Sequence, residues 1–352
     1  MDLNSCIDKA RNFERLKFDE AKLLYQEADF QVLGELADSW RRRMHSEKNV
    51  TYIIDRNINY TNVCISGCKF CAFFRSPDST DGYVISKEEL ARKIEETLEL
   101  GGKQILFQGG LHPDLDISYY EDVLRFIKEN FEIHIHGFSP PEICHIAKIS
   151  GMSVAEVIRR LKRAGLDSLP GGGAEILVDR VRKQVSPRKC SAQEWLDVME
   201  EAHNQGLRTT ATMMFGHLET VDDRLEHLFR LRELQDKTRG FTAFIPWPFQ
   251  PQNTAINVPK ATAVTYLRTL AISRIVLDNF ENVQASWVTM GAHVAQLALF
   301  FGANDLGSTM IEENVVAAAG VRFRLSIEEL ESIIRTAGFE PRRRNMFYEL
   351  VD

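Results

Sequence analysis

The chain has no long hydrophobic run. Its longest apolar stretches, such as residues 294–301, fall well short of the roughly 20 residues that a membrane-spanning helix needs. Residues 1–20 are charged throughout and contain no apolar segment of the kind that a secretory signal carries. These absences argue against a transmembrane helix and against a signal peptide, and we therefore expect a cytoplasmic protein.

An excess of positive charge and linker-like segments are also missing. The net charge is -7 and the isoelectric point is about 5.8, so composition provides no basic surface for a nucleic acid. No low-complexity tract, internal repeat or linker rich in proline and serine interrupts the chain. Its 352 residues, 44% of them hydrophobic, suit either two ordinary domains or one α/β barrel with extensions.

Cysteine is scarce, with six residues, but three of them lie close together as C-x3-C-x2-C at Cys64, Cys68 and Cys71. In a reducing compartment, clustered cysteines are more often metal-binding or catalytic than disulfide-bonded. Structural zinc takes four ligands, and the fourth is missing locally, although His112 and Cys144 are distant candidates. A four-iron cluster on three thiolates would leave one iron open to another ligand. The remaining cysteines are isolated in sequence, which is typical of buried small apolar side chains: Cys6, Cys144 and Cys190.

Strand-like and helical segments alternate from about residue 50 onward, which is typical of βα units. Four helices are predicted to begin at capping boxes, in which a serine precedes a glutamate by three residues: Ser86, Ser153, Ser191 and Ser326. Eight strand candidates alternate with the helical patterns: 50–55, 103–108, 131–136, 166–171, 208–215, 240–247, 282–287 and 302–307. This pattern predicts a closed (β/α)8 barrel with its functional groups at the C-terminal ends of the strands. Because the fourth and eighth candidates contain poor strand formers, an open six-stranded barrel is the alternative.

The sequence patterns at the two ends of the chain differ from the alternating pattern of the barrel. An apolar stripe with the spacing of an amphipathic helix precedes it: Leu33, Leu36, Ala37 and Trp40. We predict a helical extension over residues 1–48, the barrel over 49–318, and a C-terminal helix and tail packed on the barrel over 319–352.

The cysteine motif, with the aromatic Phe70 before its last cysteine, resembles the signature of the radical S-adenosylmethionine (SAM) superfamily. In that superfamily the amino and carboxylate groups of SAM chelate the open iron of a [4Fe-4S] cluster. One electron then cleaves SAM to methionine and a 5'-deoxyadenosyl radical. The resemblance therefore implies an α/β TIM-type radical SAM barrel, SAM as cofactor, and a [4Fe-4S] cluster held by the three clustered cysteines.

Other segments, spread over about residues 50–318, resemble a narrower family, the dehypoxanthine futalosine cyclases of the futalosine route to menaquinone. They include 52–64, 106–113, 134–143, 170–182, 210–220, 244–254, 284–291 and 301–315. The resemblance implies that the 5'-deoxyadenosyl radical takes a hydrogen from C4' of the ribose of dehypoxanthine futalosine. The resulting carbon radical would add to the benzoate ring, which then loses one electron and one proton. A flavodoxin or ferredoxin is implied as electron donor.

Two alternatives remain open at this point. The first is another radical SAM enzyme of the same plan, an aminofutalosine synthase or an F0-synthase-like protein. The second is a non-catalytic structural or regulatory protein that holds zinc on its cysteines.

Residues that contact SAM are predicted from two segments. Gln108, Gly109 and Gly110 end the second strand candidate, where two glycines allow a ligand to approach the backbone closely. Many radical SAM enzymes carry Gly-Gly-Glu here, so the sequence leaves open what holds the SAM amino group. By resemblance Glu175 contacts SAM, where a carboxylate accepts hydrogen bonds from ribose hydroxyls, and Arg180 is a candidate for the SAM carboxylate.

A base is needed for the proton that leaves the ring. In residues 131–136 the strand alternation places His134 and His136 on the lumen face, with His136 nearer the catalytic end. An imidazole suits this proton transfer, and His136 is our first candidate. His217 and Glu219, after the fifth strand, and Asp305, after the eighth, are rival candidates.

The sequence also offers candidates for substrate contacts. Trp247 and Phe249 could line a pocket for the benzoate ring. Arg56 and Arg75 are candidate partners for its carboxylate.

Overall fold

The computed structural model describes residues 2–321 and 323–351. The helices are α1 Leu3–Arg11, α2 Phe18–Glu27, α3 Phe30–Met44, α4 Lys87–Glu99, α5 Ile117–Asn130, α6 Pro140–Ser150, α7 Val154–Ala164, α8 Asp179–Val185, α9 Ala192–Asn204, α10 Val221–Thr238, α11 Ala263–Val276, α12 Trp287–Met290, α13 Ala292–Ala298, α14 Val315–Ala318 and α15 Ile327–Thr336. The strands are β1 Asn49–Ile53, β2 Asp55–Asn59, β3 Gln104–Gln108, β4 His134–Gly137, β5 Ser168–Leu169, β6 Arg208–Phe215, β7 Phe241–Pro248, β8 Asn282–Val283, β9 Asp305–Ser308 and β10 Glu340–Arg343.

The predicted α/β barrel is confirmed. Strands β2 to β8 form a parallel seven-stranded sheet in chain order, and β1 lies in a second sheet between β10 and β9. β1 and β2 are two halves of one bent strand, since only Ile54 separates them. The ring closes where Gln284, just after β8, bridges to Asp305 of β9. All eight strand candidates therefore contribute to the barrel, although β5 and β8 are only two residues long.

The helix starts predicted from sequence are confirmed by their hydrogen bonds. Each of the four serines caps its helix by accepting a hydrogen bond from the backbone N–H of the glutamate three residues later. At Ser191 and Ser326 the glutamate side chain returns a bond to the serine backbone, which completes the capping box. These caps fix where the outer helices begin and hence where the loops above the strands lie.

Helices α1 to α3 form the predicted N-terminal extension. The apolar stripe of α3 is buried, with Leu33 and Ala37 at 0% exposure, and α3 packs against α11 of the barrel. Trp40 of the same stripe donates from its indole N–H to the carbonyl of Ala10, 3.0 Å away, which ties α3 to α1. None of the helices in the described part of the chain combines the length and apolarity that crossing a bilayer requires.

The C-terminal tail closes one end of the barrel. β10 runs parallel to β1, and the chain then directs the Arg344 side chain inward to Asp305, with N–O distances of 2.6 and 2.9 Å. Asp305 is the first residue of β9, so this contact lies at the amino-terminal end of the strands, opposite the end where such barrels carry their sites. The domain boundaries at residues 48 and 318 stay predictions.

Candidate active site

The three clustered cysteines lie on a loop after β2, at the carboxyl end of the strands. Hydrogen bonds between backbones attach this loop to its neighbours, from Cys64 N–H to Arg75, from Ile65 to Leu111 and from Lys69 to Val185. Gly67 has a φ of +59°, a left-handed conformation that glycine adopts without strain. The loop conformation is therefore set by one contact within the loop and by contacts to two other parts of the barrel rim.

All three cysteines line one cavity of about 160 Å³, the cysteine cavity, which we define by Cys64, Cys68, Cys71, Gly110 and Lys189. Phe70, Gln108, Gly109 and Glu142 also line it. Burial raises the pKa of the Cys68 thiol, and the charge of Lys189 acts in the opposite direction. Among the described residues, these three are the cysteines that line the cavity.

This donor set fits a [4Fe-4S] cluster with one open iron. Iron–sulfur clusters are held by cysteine thiolates, and three thiols facing one cavity supply them. His112 and Cys144, the distant candidates for a fourth zinc ligand, do not line the cysteine cavity. Within residues 2–321 and 323–351, no three His, Cys, Asp or Glu side chains are grouped as a single metal ion would require.

The two glycines after β3 allow the cysteine loop and the Tyr60 ring to pack directly against the backbone beside the cysteine cavity. A Cβ atom on Gly110 would lie 2.2 Å from the carbonyl oxygen of Val63, and one on Gly109 would lie 2.5 Å from the Tyr60 ring. The backbone N–H of Gly109 donates to the buried carboxylate of Glu142 at 3.0 Å, and the Tyr60 hydroxyl donates to the same oxygen at 2.7 Å. The Glu142 carboxylate of α6 thus fixes the backbone at Gly109 and the Tyr60 hydroxyl beside the cysteine cavity.

A buried group of charges borders the cysteine cavity. The Glu175 carboxylate accepts from Lys189 Nζ at 2.9 Å and from Arg182 at 3.3 Å. Burial opposes ionisation of Glu175, but the two cations outweigh it and keep the pKa of its carboxyl below the ordinary value. Lys189 also lies 5.1 Å above the Phe70 ring. Glu175 has a φ of +41°, a conformation uncommon outside glycine, so the surrounding contacts hold it in place.

Arg180 does not join this group, which corrects the sequence-based expectation. Its side chain is 53% exposed and forms an ion pair with Asp223, and it lines neither the cysteine cavity nor its neighbour. The buried arginine is Arg182, two residues on. A helix turns by about 100° per residue. Arg180 and Arg182 are two positions apart on α8, and their side chains therefore point in nearly opposite directions.

A second cavity, of about 270 Å³, occupies the barrel lumen. We define this lumen cavity by Gln108, His136, Glu175, Trp247, Trp287 and Arg344. It shares Gln108, Gly172 and Gly173 with the cysteine cavity, so the two adjoin. The tail forms its floor through Arg344, Met346 and Tyr348. Trp247 lines it as expected, whereas Phe249 is buried outside it.

His136 faces the lumen cavity from β4. Its Nδ1 lies 2.8 Å from the Ser168 hydroxyl, and its Nε2 lies 3.5 Å from the Thr210 hydroxyl, at the limit of a hydrogen bond. Burial, with smaller contributions from His134 and Arg344, lowers the pKa of His136 well below its ordinary value. The ring is therefore neutral near pH 7, with a nitrogen available to accept a proton. Its role as the base stays a prediction.

His217 lies at the expected end of the barrel but has both ring nitrogens engaged. Its Nε2 lies 3.0 Å from the carbonyl of Met214, and its Nδ1 accepts from the N–H of Leu218 at 2.7 Å. Glu219 accepts from the backbone N–H groups of Gly216 and His217. Neither side chain lines the lumen cavity. Both stabilise the loop after β6, so the geometry does not support them as bases.

Asp305 is also corrected by the structure. It begins β9 instead of following it, and its oxygens accept from Arg344, Thr51 and the backbone N–H of Gly307. Four hydrogen bonds use the acceptor capacity of a carboxylate. The side chain therefore stabilises the closed end of the barrel and does not line the lumen cavity.

The other candidates have structural contacts. Arg56 pairs with Glu96, and Arg75 donates to the carbonyls of Phe73 and Phe74. Neither lines the lumen cavity. Cys6 is buried in the core as expected. Cys144 and Cys190 are half-buried, and the Cys190 sulfur accepts a hydrogen bond from Arg182 at 3.8 Å.

Sequence reasoning missed Lys189, Arg182 and Glu142. A capping box with Ser139 signals the local role of Glu142, but not its contact with Gly109. Lys189 stands in a polar segment that resembles a surface loop, and its contact with Glu175 spans 14 residues. Local patterns contain no signal for such a contact.

Comparisons with known proteins agree with this geometry. The Radical SAM superfamily model matches residues 58–231, and the CofH/MqnC C-terminal region model matches residues 238–352. A cyclic dehypoxanthine futalosine synthase of Halalkalibacterium halodurans is 46% identical over 100% of this chain and 95% of its own length. One of Streptomyces coelicolor is 47% identical over 99% and 88%. A 5-amino-6-(D-ribitylamino)uracil--L-tyrosine 4-hydroxyphenyl transferase of Methanococcoides burtonii is 41% identical over 97% and 98%.

Solved structures share the fold at low identity. The FeFe-hydrogenase maturase HydG of Carboxydothermus hydrogenoformans superimposes with a TM-score of 0.76 at 18% identity, covering 98% of this chain and 80% of that one. Methylornithine synthase PylB superimposes with a TM-score of 0.71 at 16% identity, covering 96% and 97%. Members of the radical SAM superfamily use a [4Fe-4S] cluster and SAM, which confirms the two predicted cofactors. The chain belongs to the radical SAM superfamily of enzymes, in the family that includes the cyclic dehypoxanthine futalosine synthases.

Proposed function

We propose that this enzyme converts dehypoxanthine futalosine to cyclic dehypoxanthinyl futalosine in menaquinone biosynthesis. The observation that carries the proposal is identity of 46–47%, over almost the whole chain, to two proteins named for that reaction. The adjoining cavities support it, because a radical formed beside the cysteines must reach a substrate held in the lumen. Gln108, Gly172 and Gly173 form the wall that both cavities share.

The residues around the cysteine cavity suit its two cofactors. Cys64, Cys68 and Cys71 would hold three irons of the cluster. Lys189 supplies a cation for the SAM carboxylate, and Glu175 an acceptor for ribose hydroxyls. When bound, the cofactors would supply the 5'-deoxyadenosyl radical chemistry for removal of the C4' hydrogen and an acceptor for the one electron that the cyclised ring loses.

The chain's own task is to position the substrate and to exclude water and other hydrogen donors. The lumen cavity is closed below by Arg344, Met346 and Tyr348, which keeps bulk solvent from the reacting carbon. Trp247 and Trp287 provide flat apolar faces for an aromatic ring. His136 takes the proton that the cyclised ring loses.

An acidic flavodoxin or ferredoxin fits as the electron donor, although the chain itself carries a net charge of -7. Exposed cations lie beside the cysteine loop, at Lys69 and at Arg188, whose Nε donates to the carbonyl of Ser66. Such a local patch attracts an acidic partner despite the overall charge. The site suits a reducing compartment such as the cytoplasm, where thiolates stay available for iron.

The deciding experiment uses dehypoxanthine futalosine with deuterium at C4', the anaerobically reconstituted enzyme, SAM and dithionite. We expect a cyclised product that is lighter than the labelled substrate by one deuterium and one hydrogen, and deuterium in 5'-deoxyadenosine. Formation of 5'-deoxyadenosine without deuterium and without the cyclised product would overturn the substrate assignment.

A second candidate comes from the archaeal relatives, which are named as transferases acting with 5-amino-6-(D-ribitylamino)uracil and L-tyrosine and are 40–43% identical to this chain. The same reconstituted enzyme incubated with these two compounds tests it. Transfer of a 4-hydroxyphenyl group, together with no cyclised futalosine, would replace our proposal with this one. The same assay with enolpyruvyl benzoate tests for an aminofutalosine synthase.

A further inference from the structure

Three side chains form a continuous hydrogen-bonded chain that leads away from the lumen cavity. His136 Nδ1 lies 2.8 Å from the Ser168 hydroxyl oxygen, and the same oxygen lies 2.7 Å from His134 Nε2. His136 and Ser168 stand opposite each other in the pairing of β4 and β5. His134 lies two residues earlier on the same face of β4, so the alternation of the strand places both rings on one serine.

The two ends of this chain are in different surroundings. His136 lines the lumen cavity, and Ser168 is 0% exposed. His134 is only half-buried and lines an open depression at the amino-terminal end of the strands, together with Lys128, Glu129 and Asp167. The three residues therefore connect the interior of the barrel with the solvent at its closed end.

We propose that Ser168 and His134 relay the proton that His136 takes from the cyclised substrate to solvent at the closed end of the barrel. This inference rests on the proposed function, because it needs a reaction that releases a proton in the lumen. Ser168 and His134 act through His136 and are positioning residues, whereas His136 contacts the substrate.

In the proposed transfer, each of the three side chains accepts one proton and releases one. In the starting arrangement the Nε2 lone pair of His136 faces the cavity, Nδ1–H donates to Ser168, and the Ser168 hydroxyl donates to His134 Nε2. When Nε2 takes the substrate proton, the Nδ1 proton moves to the serine oxygen and the serine proton moves to His134. His134 then releases its Nδ1 proton to water. No redox partner is needed.

Electrostatics explains why a relay is useful here. Burial, His134 and Arg344 all make a cation at His136 unfavourable and lower its pKa, so a proton that stayed on this ring would be costly. At His134 burial also lowers the pKa, while Asp167 opposes that change and Lys128 adds to it. The half-buried ring is in contact with the solvent-exposed depression and can pass its proton on.

The relay can be tested first without any substrate, by 15N NMR of the imidazoles in the cofactor-free protein. We expect Ser168→Ala to change the tautomer populations of both His134 and His136, because both rings share its hydroxyl. His203 is a matched control, since its two nitrogens lie 2.7 Å from the hydroxyls of Thr238 and Thr209 outside the lumen cavity. Its signals are expected to stay unchanged in Ser168→Ala.

Turnover in mixtures of H2O and D2O gives the second measurement. General acid–base groups contribute about 10²–10⁴-fold to rates, and we expect Ser168→Ala to form cyclised product about 10–100-fold more slowly, since water in the lumen replaces part of the relay. The dependence of the rate on the deuterium fraction should be curved in the wild type and linear in the variant, and His203→Gln should keep the curve. Ser168→Thr, which keeps the hydroxyl, should restore much of the rate.

The outcomes separate this inference from the proposed function. A wild type that makes no cyclised product contradicts the function, whereas the NMR result still decides whether the three side chains are coupled. A Ser168→Ala enzyme with wild-type turnover and a wild-type curve overturns the relay. If Ser168→Ala fails to fold, His134→Gln at the half-buried end replaces it and should show the same slower rate and linear dependence.

Discussion

The two ends of the barrel both bury charged side chains, but they use them differently. At the closed end, Arg344 and Asp305 meet through two hydrogen bonds, and Thr51 and Gly307 occupy the remaining acceptor positions of the carboxylate. At the open end, where the cysteine loop lies, Lys189 donates a single hydrogen bond within the described part of the chain, to Glu175. An ammonium group can donate three.

The comparison shows that burial of a charge alone does not identify a ligand site. A buried ion pair whose donors and acceptors are all used holds two parts of the fold together. A pair with unused donors beside a cavity is ready to bind a ligand, since its desolvation has already been compensated by one partner. By this criterion we propose Lys189, and not Asp305, as a residue that binds a ligand.

The largest effect is expected at the open end, from Cys68→Ala. Loss of one of three thiolates should abolish reconstitution of the [4Fe-4S] cluster and with it the cleavage of SAM. Iron content, and electron paramagnetic resonance of the reduced protein with and without SAM, measure this. Cys6→Ala, in the core of the N-terminal extension, is the control and should retain iron. Full iron content and SAM cleavage in Cys68→Ala would show that the cluster is held elsewhere.

The next effect separates two buried histidines on the same barrel. His136→Gln should slow formation of the cyclised product by about 10²–10⁴-fold, the contribution of a general base, while 5'-deoxyadenosine is still formed. His217→Gln should instead lower the melting temperature, because it breaks the bonds to Met214 and Leu218. The rates of both products and thermal unfolding of both variants check this. Equal rates in His136→Gln and wild type would remove His136 from the mechanism.

At the closed end we expect a loss of stability. Arg344→Met leaves Asp305 buried without its charged partner, which costs about 3–5 kcal/mol in the free energy of unfolding. Urea denaturation measures it. Combining it with Asp305→Leu should recover part of the loss, because an apolar pair avoids the uncompensated charge. A single variant as stable as the wild type would show that this pair does not hold the tail in place.

The smallest effects compare a buried cation with an exposed one. Lys189→Met should weaken SAM binding by about 10–100-fold, since a hydrogen bond to a charged group contributes about 1.5–3 kcal/mol. Arg180→Ala should change SAM binding little and stability by no more than about 1 kcal/mol, because its ion pair with Asp223 is exposed on the arginine side. Equilibrium binding of SAM to the reconstituted proteins decides. Weaker binding in Arg180→Ala than in Lys189→Met would restore Arg180 as the SAM partner.

Structural features that depend on short-range sequence patterns could be predicted from the sequence. The serine caps, the apolar stripe of α3 and the eight strand candidates all depend on neighbours within a few residues, and the structure has each of them. The spacing of Cys64, Cys68 and Cys71 was equally informative, because one loop must present all three thiols to the same cluster. The alternation in β4 likewise predicted that His136 faces the lumen.

The assignments that failed concern contacts between distant segments. Asp305 was a candidate base in the sequence, where no local pattern connects it with its partner Arg344, 39 residues later in the tail. Arg180 and Arg182 look alike in sequence, and only the orientation of α8 exposes one and buries the other. His217 was placed at the correct end of the barrel, but nothing local showed that the backbone of its own loop engages both ring nitrogens.

The sequence by itself therefore determined the barrel, the extension that precedes it and the loop that holds the cysteines, because periodicity and spacing are local properties of a chain. Only the tertiary structure decided which charges are saturated and which face a cavity, and which serine joins two histidines. Those properties depend on where strands and loops far apart in sequence meet, and the free energy of a buried polar group depends on all the partners that it finds there.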